Sequence, residues 1–113
     1  MSLDVYLNTS QCPECGRHDE PFNRNITHNL GRMAEAAGLY KAIWRPEELG
    51  INTAGALIAI LRDGLKLLQD DPPIFRCFNP SNGWGTYEDL VTFVGEYLQA
   101  CKENPDAMVT VSR

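Results

Sequence analysis

An α+β fold is what this sequence predicts, and three observations predict it. Alternating apolar and polar residues open and close the chain, apolar residues recur at helical spacing between them, and no linker or repeat divides the 113 residues. A small terminal β-sheet backed by about three helices, in one globular domain over residues 1–113, satisfies all three. The first strand is read over residues 3–8, where Leu3, Val5 and Leu7 face one side and Asp4, Tyr6 and Asn8 the other. A polar loop with two cysteines follows at about 9–22, and Pro21–Arg24 would add a short strand.

The first helix should begin near Thr27, capped by Asn25 or Thr27. Leu30, Met33, Ala34 and Ala37 form its apolar stripe, and Gly38 stops it. Leu39–Trp44 is apolar and reads as a turn or a short helix, ended by Arg45-Pro46 because the residue before proline avoids helical backbone. The clearest helix runs from Thr53 to Gln69. Leu57, Ile58, Leu61, Leu65 and Leu68 make its buried face, Ile60 and Leu67 extend burial, and Asp71-Pro72-Pro73 ends it. Residues 72–85 read as loop. Thr86 then caps a third helix, with Asp89 completing a variant of the capping box. Leu90, Val91, Val94, Tyr97, Leu98 and Cys101 form its stripe, and Asn104-Pro105 closes it. Met108–Ser112 alternates once more, with Val109 and Val111 on one side.

Composition narrows the function classes. Ten basic and fifteen acidic side chains give a net charge of −5, which opposes binding to duplex nucleic acid or to an anionic membrane surface. No apolar run reaches the 18 residues of a membrane span, and MSLDVYLNTS lacks a signal-peptide pattern. The reading is a reducing cytosol, where Cys12, Cys15, Cys77 and Cys101 stay free of a disulfide framework and the Asn25-Ile26-Thr27 sequon carries no glycan.

Cys12-Pro13-Glu14-Cys15-Gly16 is the sharpest short motif. Two thiolates two residues apart fit one edge of a tetrahedral zinc site, with His18 as third ligand and His28 as fourth. A structural zinc clip is one reading. A redox dithiol is another, weakened by the acidic Glu14 and the lack of a βαβ pattern. Two ordinary thiols in a turn is the third. Cys77, between Phe75 and Phe78, and Cys101, on a core stripe, are poorer ligands.

A second cluster surrounds the first helix start. Residues 21–46 carry Arg24, Arg32, Lys41 and Arg45 against Glu35 alone, a net +3 beside −8 for the rest. His28, Arg32 and Glu35 lie opposite the apolar stripe. First-turn amides with Asn25 and Thr27 would cradle a small anion, and the same amides favour a neutral His28 able to accept as well as donate. Such charges also pair with surface acids, the plainer reading. A third cluster, Asn82-Gly83-Trp84-Gly85-Thr86-Tyr87, sets an indole between glycines, either as a plug for the core or as a wall for a planar ligand. Trp44-Arg45 poses the same choice. No nucleophile–base pair, phosphate loop or HExxH motif is legible, so the sequence leans away from catalysis.

The blocks MSLDVYL, NITHNLGRMAEAAGLY, WRPEELGI and NPSNGWGTYEDLV and the ending VSR resemble a family of short proteins of unknown function encoded mainly by bacteriophages and prophages. The likeness spans nearly the whole chain except roughly residues 8–22. It implies a phage-related origin, a bacterial cytoplasm, and interest in Asn25, Thr27, His28, Trp44, Arg45, Asn82, Trp84 and Tyr87. Zinc at the cysteines would then be a local clip. The leading expectation is a small-ligand-binding protein for a polar, anionic, nucleotide-like molecule held by these residues and Arg32. From the phage context, one role would be counter-defence by sequestering a host nucleotide signal. A protein-interaction adaptor with a zinc clip is the alternative, and a small His28-dependent hydrolase or transferase the third. A long amphipathic helix and an edge strand would each support a homodimer, and neither demands one.

Overall fold

The computed structural model describes residues 2–8, 22–79, 83 and 85–113. Strand β1 (Ser2–Asn8) is central, flanked by β2 (Phe22–Thr27) and β3 (Met108–Ser112), and both pairings are antiparallel. Alternation decides which face is buried. Leu3, Val5 and Leu7 are inaccessible to solvent, while Asp4, Tyr6 and Asn8 are partly exposed. Register carries that choice across the sheet, because Leu3, Val5 and Leu7 stand opposite Ile26, Arg24 and Phe22 on β2. Val111 and Val109 stand opposite Val5 and Leu7 on β3.

Helices cover that face: α1 (Gly31–Ala36), α2 (Tyr40–Trp44), α3 (Ile58–Asp70), α4 (Pro72–Arg76) and α5 (Tyr87–Glu103). Tighter 3₁₀ turns at His28–Leu30, Pro46–Leu49 and Ala54–Leu57 lead into or join them. The α+β class holds, with five α-helices among the described residues where about three were expected. Two local causes explain the extra pair. Gly38, at φ 74°, breaks the chain between α1 and α2, so Leu39–Trp44 becomes a separate short helix. Pro72 and Pro73 end α3, yet they occupy the first positions of α4, where a missing N–H costs nothing.

Four details differ from the sequence reading. α3 begins at Ile58 instead of Thr53, because Ala54–Leu57 winds as a tighter 3₁₀ turn. β2 runs to Thr27 instead of ending at Arg24, so Asn25 is a strand residue and Thr27 alone caps the turn, its Oγ1 accepting from Asn29 N at 3.3 Å. Leu67 is half exposed, at 51%, because the buried line of α3 runs through Leu61, Gly64 and Leu68 and leaves it roughly 100° to one side. Phe93 is buried although no stripe included it, packing edge-on to Phe22 and Tyr97. The capping box forms as read: Asp89 N donates to Thr86 Oγ1, and Thr86 N donates to Asp89 Oδ2.

One buried cluster joins sheet and helices, with Trp44 and Tyr97 its largest fully enclosed side chains. At Gly64 the fit is closest. A Cβ there would run into Leu39 Cδ2, so α3 meets the segment before α2 through a bare backbone. Among the described residues, no helix is long and apolar enough to cross a membrane.

Candidate functional site

His28 and Trp44 meet directly. The indole Nε1–H donates to His28 Nδ1 at 2.9 Å. An indole nitrogen only donates, so Nδ1 must be bare and the ring proton sits on Nε2. That acceptor role has a consequence for zinc. A ligating imidazole offers a lone pair from one nitrogen and normally donates from the other. His28 has spent its lone pair on Trp44, so it cannot be the fourth ligand while that bond stands. Cys12, Cys15 and His18, like Asn82 and Trp84, lie outside the described residues. Among the described residues no three His, Cys, Asp or Glu side chains gather into a metal site.

The surroundings of Trp44 are structural. Its ring is 1% exposed and stacks on Tyr40 at 5.5 Å, and the Tyr40 ring lies over Gly31. Arg113 Nη1 donates to Trp44 O at 2.8 Å and pairs with Glu47 at 2.6 Å, tying the end of β3 to α2. Glu47 is held below its ordinary value by its own backbone amide and then by Arg113. Tyr40, then Glu48, keeps Arg45 firmly charged. Tyr87 is likewise buried. Its hydroxyl donates to Leu68 O, locking α5 to α3, and Arg76 lies over its ring at 4.9 Å. Neither Trp44 nor Tyr87 offers a free ring face.

The basic segment is largely neutralised. Arg24 Nε reaches Glu96 at 3.2 Å, and Lys41 and Arg45 reach Glu48 at 3.9 and 3.3 Å. Arg32 is exposed, with no ion pair among the described residues. Helix-start amides are also taken. Thr86 N, Tyr87 N and Asp89 N donate to Asp89, Asn79 and Thr86, and Asn29 N donates to Thr27. At the first helix start, where an anion cradle was expected, Thr27 Oγ1 thus occupies the Asn29 amide.

What the fold does assemble is a groove between β2 and α5. One hollow of about 410 Å³ is lined by Arg24, Asn25, Ile26 and Thr27 from the strand and by Asp89, Thr92, Phe93 and Glu96 from the helix. Four consecutive strand residues point to opposite faces in turn, so a hollow that touches all four lies along the strand's edge. A second hollow of about 660 Å³ continues past Arg24 and Glu96 to Gln99, Glu103 and Asn104. Gly85 closes the first end. It sits at φ 95°, and a Cβ there would come within 2.6 Å of Thr27 Cγ2.

Of the sequence-derived candidates, Asn25 and Thr27 line this groove, whereas His28, Trp44 and Arg45 belong to the adjoining structural cluster. Arg24, Glu96 and Glu103 were missed as site residues. For the two acids the signal was present: Asp89, Glu96 and Glu103 are spaced by seven, which sets them in one row along a helix. A scan against protein-family models and searches of the curated proteins and the solved structures found no match to this chain.

Proposed function

We propose that this protein is a binding module that receives a segment of a partner polypeptide in the β2–α5 groove. The observation that carries this reading is the outer edge of β2. Among the described residues β2 pairs only with β1, so its other row of backbone donors and acceptors faces the groove without a neighbouring strand. Strand edges beside a groove are a recurring docking mode, with main-chain bonds giving affinity and side-chain positions giving specificity.

A small nucleotide-like anion is less well served by the same place. Asp89, Glu96 and Glu103 line it against Arg24, and that arginine is already paired. The resemblance to short phage-encoded proteins supports the interior of a bacterial host as the setting. A zinc clip at Cys12, Cys15 and His18 is compatible with this function, given a fourth ligand other than His28.

Site-specific photocrosslinking tests the reading. Benzoylphenylalanine placed at Thr92, in the groove, should give a discrete protein adduct in host cells. The same group at Thr110, on the open face of β3, should not. Equal labelling from both positions, or none from Thr92, would overturn the proposal. A small anion retained through native mass spectrometry would redirect attention to the ligand-binding alternative.

A further inference from the structure

Building on the proposed docking role, we infer that the partner segment is extended and cationic, that it adds to β2 as a fourth strand, and that Arg24 is the internal stand-in for its positive charge. Length agrees first. The six residues of β2 span about 20 Å, and the rise along α5 from Asp89 to Glu103 is about 21 Å. Strand edge and acidic row therefore run over the same distance.

Charge selects the occupant. Asp89, Glu96 and Glu103 recur along the groove wall, with Thr92 and Gln99 between them as neutral polar groups. A lysine- or arginine-bearing strand meets a carboxylate at either end and in the middle. An acidic strand meets repulsion throughout.

Arg24 shows what such a cation does there. Opposite Val5, it lies on the inward face of β2 between Phe22 and Ile26, a position that alternation assigns to an apolar residue. An inward-pointing charge on an edge strand guards against indiscriminate edge pairing. Its guanidinium donates to Asn23 O at 2.8 Å and to Glu96 at 3.2 Å, one strand acceptor and one helix carboxylate. Those are the two kinds of contact an incoming basic strand would make. The pair sits where the two hollows meet, and its side chains are 59% and 48% exposed. An exposed pair of this kind is weak enough for a partner to displace.

The test uses an end-blocked octapeptide of alternating lysine and threonine, and its glutamate counterpart, titrated into the full chain. Binding is read by calorimetry and by backbone amide shifts. The lysine peptide should bind, and its affinity should fall with added salt. It should also perturb the amides of Asn23–Thr27, and the glutamate peptide should do neither. Arg24→Gln should tighten lysine-peptide binding about two- to fivefold, the reach of one exposed ion pair, and Glu96→Gln should weaken it. Equal affinity for wild type and Arg24→Gln would overturn the stand-in role. Shifts confined to α5 would overturn strand addition. No lysine-peptide binding by any variant, alongside a persisting Thr92 crosslink, would overturn the cationic partner and leave the docking role in place. Loss of the crosslink as well would remove both.

Discussion

The hydroxyl of Tyr97 is buried with no hydrogen-bond partner among the described residues, the clearest local cost in this core. Its ring is well used, stacked on Phe22 at 4.9 Å and edge-on to Phe93. An orphaned buried polar group costs about 1–3 kcal/mol, and phenylalanine keeps the ring while removing the group. Tyr97→Phe should therefore raise stability by about 1 kcal/mol, read as a higher urea midpoint at unchanged slope. A lower midpoint would show that the hydroxyl contributes to folding. Sequence periodicity placed Tyr97 in the core, because its position on the α5 stripe suffices for that. Whether its oxygen finds an acceptor depends on what other elements bring near it. His28 illustrates the same division. Periodicity set it opposite the apolar stripe, but it stands in the 3₁₀ turn before α1, and its buried partner, Trp44, lies sixteen residues along the chain and meets it only after folding.

Among the elements, α5 formed as read and α3 over most of its expected length, beginning at Ile58 and not Thr53, because each carries a long stripe at helical spacing. Their ends follow from proline after α3 and the Thr86–Asp89 box before α5. The short helices α2 and α4 were not separable from loop. Five residues are too few to show a period, and they are helical because neighbours pack against them. Gly64 marks a contact between elements that no local rule announces. In an isolated helix Gly→Ala gains about 1 kcal/mol, yet here the added methyl would collide with three atoms of the buried Leu39 side chain. Overpacking costs about 1–3 kcal/mol, so Gly64→Ala should be net destabilising, with a melting temperature lowered by several degrees. Gly95 on α5 is the control. A Cβ there meets nothing within 4 Å, so Gly95→Ala should be stabilising. Equal behaviour of the two variants would rule out the close packing at Leu39.

For the whole molecule, buried acid groups set the pH response on the alkaline side. Burial pushes the Cys101 thiol up to about 12, and burial followed by the nearby Cys101 pushes the Tyr97 hydroxyl upward as well. Both groups are neutral when protonated, so the fold favours the protonated forms. The unfolded chain releases those protons first, near 9 for the thiol and near 10 for the phenol. Stability from these groups is thus complete below about pH 9 and is lost as pH rises toward the folded values. Urea midpoints should hold between about pH 7 and 8 and fall steadily by pH 11, with a shallower fall in Tyr97→Phe. A flat profile to pH 11 would contradict burial of both groups.

The chain's own residues determined its α+β class, the terminal strands, the two long helices and the Thr86–Asp89 cap of the second. Each depends on spacing within about twenty residues, which the sequence displays directly. Charge counting marked residues 21–46 as basic. Tertiary structure then decided that Arg24, Lys41 and Arg45 are answered by acids at positions 96 and 48. It also decided that Trp44 and Tyr87 are core rather than surface, and that β2, paired on one side only among the described residues, lines the same hollows as the acidic row of α5. These outcomes turn on which distant segments come to lie side by side. Periodicity fixes the face a residue presents, but only the packed chain fixes what stands opposite that face.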